Sequence, residues 1–348
     1  MPRSAIAETF RRIVIAVALA SIAPTPQPHR LVVHEWGTFT TIAGEDGLAL
    51  EWRPLAGTND LPQFVHEMGD PGGLRHCVKC DLTAKIRMET PVLYFYTDRD
   101  MEVSVRVDFP EGKITEWYPN ARSVGSGIDW GRFAVLPNAT TNLATEAVAN
   151  HYYAARETDA ALVRVCNTNG RAPEFEKFLF YRGVGGFDLP VSVKLDGDFL
   201  RLAGLTDIER VIVFENRGGN IGFRVVDVLA NEMSVERPPL GDSLAQLLAE
   251  LQQSLVAHGL YEKEARAMLN TWRDSWFEEG LRVFYILPRN STDAALPLTI
   301  DPKPDEFVRV LVGRVEVITP EMELRVLADP KSYGRFAEPI LKRALVHN

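Results

Sequence analysis

The chain has few cysteines, no block of lysine and arginine, and no long apolar run after its first two dozen residues. Each shortage closes off a class of function. Three cysteines in 348 residues, Cys77, Cys80 and Cys166, cannot build a disulfide scaffold, and in an oxidising compartment an odd number leaves one bridge at most. Covalent haem attachment needs CxxCH, but Asp81 follows the second cysteine of HCVKC, which excludes a c-type cytochrome. Beyond residue 23 nothing approaches the run of about eighteen apolar residues that marks a membrane-crossing helix. Charge is equally one-sided: 38 basic against 47 acidic residues give −9, and residues 24–348 alone carry 35 against 46, or −11. An acidic coat of this kind repels phosphate backbones and anionic lipid, so nucleic acid is not an expected partner.

Familiar catalytic signatures are missing as well. Ser126 sits in Val-Gly-Ser-Gly-Ile rather than GxSxG, and Thr38 stands where HExxH requires its second histidine. Gly183-Val-Gly185-Gly186 leads toward another strand and reads as a turn, with no helix terminus to hold a pyrophosphate. Asp196-Gly-Asp198 lacks the remaining acids of a calcium loop and reads as a hairpin turn.

What is present begins with a leader. Arg3, Arg11 and Arg12 precede the apolar stretch Ile13 to Ala23, which is too short to span a bilayer core of about 30 Å. Ala18-Leu19-Ala20 and Ser21-Ile22-Ala23 fit small-x-small cleavage sites, and Pro24, Pro26 and Pro28 cannot extend a helix. Residues 1–23 are therefore expected to be a cleaved signal peptide, with an uncleaved anchor as the alternative, and the mature protein to be periplasmic or secreted.

From Leu31 to Glu236, short β-branched and aromatic runs alternate with Gly, Pro, Asn and Asp, which is strand and turn chemistry. Ten strands are expected in this region. After Arg237-Pro-Pro-Leu-Gly-Asp242 the period becomes 3.6: Ser243 with Gln246 forms a capping box ahead of an apolar stripe from Leu244 to Leu255. A second helix is expected from Tyr261 to Glu279, then a strand over Leu281–Leu287, and a helix starting at Thr319-Pro320. Residues 305–318 fit helix or strand equally. The fold class is thus α+β, mainly β, an antiparallel sandwich or open barrel (31–237) followed by a helical hairpin, a returning strand and C-terminal helices (238–348).

Candidate chemistry gathers at a few places. Asp274, Glu278 and Glu279 crowd the expected C-terminal turn of the second helix, where the macrodipole and i,i+4 repulsion both disfavour anions. They should face cations, with Arg273 and Arg282 nearest in sequence, or a reacting group. Glu89 shares a strand face with Arg87 and should pair with it; His34 and Glu35 point to opposite faces. His34 and His151 are candidate metal ligands. So are His76, Cys77 and Cys80 together with His66, although a disulfide between the two cysteines or with Cys166, or unpaired thiols, would serve the same residues. Tyr152 and Arg156 in the polar, aromatic segment 151–159, and Trp36, are candidate substrate contacts, although most of the six tryptophans are spaced as core.

HEWGTFT (34–40), RMETPVLYFY (87–96) and TWRDSWFEEG (271–280) resemble an uncharacterised family of exported bacterial proteins. The resemblance implies export and one common architecture; HCVKC lies outside its strings. Three functions remain open. One is hydrolysis of a polysaccharide or other envelope polymer by carboxylates about 5–10 Å apart, drawn from Glu35, Glu89, Asp274 and Glu278. The others are noncatalytic binding or scaffolding, and an enzyme dependent on a divalent metal.

Overall fold

A computed structural model describes residues 30–57, 60–69, 77–166 and 172–347. The expected leader and His76 lie outside the described residues. Strand and turn chemistry produces three sheets. The largest has nine strands in the order Asn220–Asp227, Arg210–Arg217, Gly280–Ile286, Glu306–Val317, Val32–Ala43, Ile86–Tyr96, Leu179–Gly185, Gly112–Tyr118 and His66–Glu67. Every neighbouring pair is antiparallel except Val32–Ala43 with Glu306–Val317. The ambiguous segment 305–318 is therefore a strand, central and buried, which explains why it lacks the polar alternation of a half-exposed one.

Both long central strands are buried on both faces, and each face has its own cover. On one, Val33, Phe39, Leu93 and Phe95 pack against Val103, Val105 and Phe133 of a six-stranded sheet and against Val193 and Leu200 of a three-stranded one. This is the expected sandwich. On the other face, Trp36, Tyr94, Phe180, Phe214 and Phe284 lie beneath helices α1 (Leu244–Ala257) and α2 (Glu262–Trp276). Helices α3 (Arg289–Ala295), α4 (Pro320–Ala328) and α5 (Ala337–His347) complete the set, with α4 and α5 closing a smaller core around Ile42, Trp52 and Phe336. Strands from residues 280–317 pair directly with strands from residues 32–217, so the stretches on either side of 237 share one sheet.

The helix boundaries follow their caps. Ser243 and Gln246 make the capping box, and Thr319 accepts from the Met322 amide ahead of Pro320. Helix α2 ends at Trp276, three residues before the expected Glu279, because Arg282 reaches back to the Trp276 carbonyl (2.6 Å) and the chain turns at Gly280 (φ 137°) into a strand. Gly183 to Gly185 form no turn; they belong to the strand Leu179–Gly185. A Cβ on Gly183 would lie 2.3 Å from the Lys113 carbonyl oxygen, so glycine is needed for close approach of neighbouring strands. Residues 151–156 form a 3-10 helix rather than a strand end.

Candidate functional site

The helix-covered face of the large sheet is interrupted by a belt of buried charge between the apolar layer under α1 and α2 and the one under α4 and α5. Its members come from strands of the large sheet and from the turns that border it. Arg282 lies 3.0 Å from Glu316, which also accepts from Arg314 at 2.5 Å. Arg314 and Arg335 both donate to Glu278, at 3.0 and 3.1 Å. Beyond them the Nε of Arg87 stands 3.2 Å from Glu89, and Arg87 and Arg182 converge on Asp60 at 3.0 and 2.6 Å. Lys79 completes the far end between Glu67 (2.6 Å) and Glu116 (2.7 Å).

Backbone irregularity sits under this belt. The register slips between Trp36 and Thr38, between Phe180 and Gly183, and between Arg182 and Gly183, so the bulges gather beside Glu89 and Arg182. Thr90 adopts φ 46°, a left-handed conformation that is unfavourable for a β-branched residue. Strain and bulges of this kind collect where side chains are being aimed rather than merely packed.

The belt opens into a cleft of about 680 Å³ whose wall includes Asp60, Lys79, Arg87, His151, Arg182, Asp274, Ser275, Glu278 and Arg335. Burial alone would raise Asp60, but Arg182 and Arg87 overcome it and hold the carboxyl far below its ordinary value. Glu278 is lowered in the same way: burial opposes, and Arg314, Arg335 and Arg282 prevail. So is Glu89, against burial, by Arg335, Arg87 and Arg314. Arg282 is pushed down to about 10 by burial, with Glu316 opposing. His151 goes the other way from a charged base: burial lowers it despite Asp60, so its imidazole is neutral at pH 7. Among the described residues its buried Nε2 has no hydrogen-bond partner, nor do Nε of Arg182 and Arg335 and Oγ of Ser275.

Several residues singled out in the sequence do meet here. His151, Asp274 and Glu278 line the cleft, and Glu89 lies behind it against Arg87, as its strand face required. The cations facing Glu278 are Arg314 and Arg335, not Arg273; Glu279 pairs with Arg325. Because α2 stops at Trp276, Glu278 lies outside the helix, where Arg314 and Arg335 neutralise it, while Asp274 is exposed on α2.

Other candidates are placed elsewhere. Trp36 is 0% exposed and packs beside Tyr94, so it offers no face to a substrate. Tyr152 is buried and donates to Glu176 (3.1 Å), and Arg156 pairs with the same carboxylate at 2.7 Å while lying over the Tyr152 and Tyr153 rings. These contacts fasten the 151–156 segment to the sheet; Tyr152 is sealed by them, while Arg156 is committed to Glu176. Glu35 is sealed on the sandwich face between Tyr181 and Arg309. His34 is sealed too, its Nδ1 2.7 Å from Glu264, which also accepts from Tyr96 (2.7 Å) and the Tyr261 amide (2.8 Å).

The proposed metal donors are used differently. Cys77 and Cys80 are bonded to each other, so neither is a free thiolate ligand, and Cys166 stays a free thiol. Among the described residues, no group of three or more His, Cys, Asp and Glu is arranged to hold a metal ion.

Arg182, Arg314, Arg335, Asp60 and Lys79 were not legible as a site. Arg182 and Arg314 carry a usable signal: a lone arginine within an apolar strand must face a carboxylate if it is buried. Arg335 and Asp60 come from irregular segments and carry none.

No family model matches the sequence, and no curated protein matches it. Among solved structures, the Fcho1 Mu homology domain of Danio rerio with bound Eps15 peptide aligns over 84% of this chain and 97% of its own, at 7% identity and a TM-score of 0.30.

Proposed function

We propose that this chain is an exported binding protein whose cleft takes a small polar molecule bearing a carboxylate or phosphate. One observation carries it. In a chain of net charge −9, the cleft wall gathers the guanidiniums of Arg87, Arg182 and Arg335, and the buried Nε–H groups of Arg182 and Arg335 find no acceptor among the described residues. An anion entering from the cleft would supply the missing acceptor, and guanidinium is the group best shaped to receive it in two contacts. The basic and apolar start of the sequence, together with a disulfide between Cys77 and Cys80, supports export to an oxidising compartment.

Hydrolysis of an envelope polysaccharide is the second reading, and His151 is what favours it. Glu89 and Glu278, held ionised by arginine, are poorly suited to the proton-donating role of a glycosidase, which needs a raised carboxyl. A neutral imidazole on the same wall, whose buried Nε2 has no hydrogen-bond partner among the described residues, is suited to accept a proton.

Titration with citrate, inorganic phosphate and glucuronate, followed by calorimetry and melting temperature, tests the binding reading. At least one should bind with a Kd below about 1 mM and raise the melting temperature, and Arg335→Gln should weaken it about tenfold or more. Absence of any shift at about 10 mM anion would overturn it. Release of reducing ends from polygalacturonate, lost in His151→Gln, would move the assignment to the hydrolase.

A further inference from the structure

The Cys77–Cys80 disulfide lies on the wall of this same cleft, and the residue between its cysteines that reaches the charge network is Lys79. Val78–Asp81 is a single 3-10 turn, held by the Cys80 amide on the Cys77 carbonyl (3.0 Å) and the Leu82 amide on the Lys79 carbonyl (3.2 Å). So short a turn has no cooperative stability of its own. Its anchors are Leu82 against Leu55, Ala84 and Val184, the two ion pairs of Lys79, and the covalent bridge. A bridge closing so few residues restrains the unfolded chain much less than a long-loop bridge would, so its main effect is local. It fixes the direction from which Lys79 enters between Glu67 and Glu116.

The bridge is also open to chemistry. Cys77 is exposed and Cys80 half-buried, so an incoming thiolate reaches the Cys77 sulfur more readily.

We propose that the Cys77–Cys80 disulfide is a thiol-exchange site that controls the cleft by holding Lys79 in place. The thiolate of a dithiol attacks Sγ of Cys77, and Sγ of Cys80 leaves as a thiolate and takes up a proton. The second thiolate of the reductant then displaces Cys77, so the dithiol becomes a disulfide, two electrons pass to the protein, and both cysteines end as thiols. Freed of its bridge, the 78–81 turn opens and Lys79 leaves Glu67 and Glu116. Two carboxylates on the cleft wall are then uncovered, and the wall becomes repulsive to an anion. The ligand consequence rests on the binding reading above; the structural consequence does not.

Hydrogen exchange by mass spectrometry on the full chain, oxidised and after dithiothreitol, separates the two. Reduction should speed exchange in peptides covering 66–67, 77–82 and 112–118 while leaving α1 and α2 protected, and Cys77→Ser/Cys80→Ser should match the reduced protein. In parallel, the affinity for citrate or phosphate should fall about tenfold on reduction, the loss expected for one charge-assisted contact. Unchanged exchange in the three peptides once the thiols are titrated as free would overturn the exchange site. Changed exchange without anion binding in either state would uphold it and sink the binding reading alone. Should the double variant fold poorly by circular dichroism, reduced wild-type protein carries the comparison.

Discussion

At the scale of single residues, this protein buries charged side chains on both faces of its large sheet. Glu35 shows the consequence best, because it is sealed at 0% exposure and accepts from both Tyr181 and Arg309. Arg309 is also paired with Asp293 at 2.7 Å and donates to the Leu296 carbonyl. Glu35→Gln keeps the shape but leaves a buried guanidinium short of its closest counter-charge. Breaking a buried pair on one side costs about 3–5 kcal/mol, and Asp293 should bring this case to the lower end. Urea denaturation should show that loss as a lower midpoint with an unchanged slope. A loss within about 0.5 kcal/mol, the range of ordinary surface changes, would mean that Glu35 is not what neutralises Arg309. The sequence assigned Glu35 to its face correctly, since period two separates it from His34 and Trp36. It could not name the partner, which lies 274 residues away on the parallel neighbour strand.

Among elements, the readable features were those written locally. The Ser243–Gln246 capping box and the Asp196-Gly197 hairpin (Gly197 φ 59°) each depend on a few adjacent residues, and each forms as expected. The strand Gly127–Leu136 went unread because Gly131 and the polar residues around it disguise its alternation. The end of α2 was misplaced because it is set by Arg282, a residue of the following strand. The same limit applied to the cleft: Asp274, Glu278 and His151 were chosen from their own segments, whereas Arg335 and Asp60 come from irregular segments with no local signal, and the partners of Arg182 and Arg314 lie far off in sequence. Gly183 is a case where the element rather than the residue decides. It was taken for a turn, yet its place is a strand interior where a methyl group would meet the Lys113 carbonyl. Gly183→Ala should therefore destabilise by about 1–3 kcal/mol through overpacking, although alanine suits a strand no worse than glycine. It should also disturb the adjoining Arg182, so thermal melting and anion affinity ought to fall together. A melting temperature equal to wild type would show that the two strands can part at no cost.

For the whole molecule, the belt fixes how stability responds to acid. His151 has a folded pKa below its ordinary value of 6.5, lowered by burial and by Arg182 and Arg87, with Asp60 and Glu89 opposing. Above pH 6.5 the imidazole is neutral in both folded and unfolded chains, so it contributes no slope. As pH falls through 6.5 the unfolded chain takes up a proton that the folded protein refuses, and stability declines until the folded value is reached, by at most about 1.4 kcal/mol per pH unit. Asp60, Glu89 and Glu278 are likewise lowered, so their contribution is complete above the ordinary carboxylate range and is lost below it. Acid destabilisation should thus come in two stages, the first from His151 as pH falls through 6.5, the second from the arginine-bound carboxylates below about pH 4.5. His151→Gln should flatten the first stage and leave the second, as read from melting temperatures at closely spaced pH values in constant salt. If the variant retains the full decline from pH 7 to 5, the proton in question belongs to another group. If wild type shows no decline in that window, His151 is not held neutral by burial, and the proton-accepting reading of the cleft loses its support.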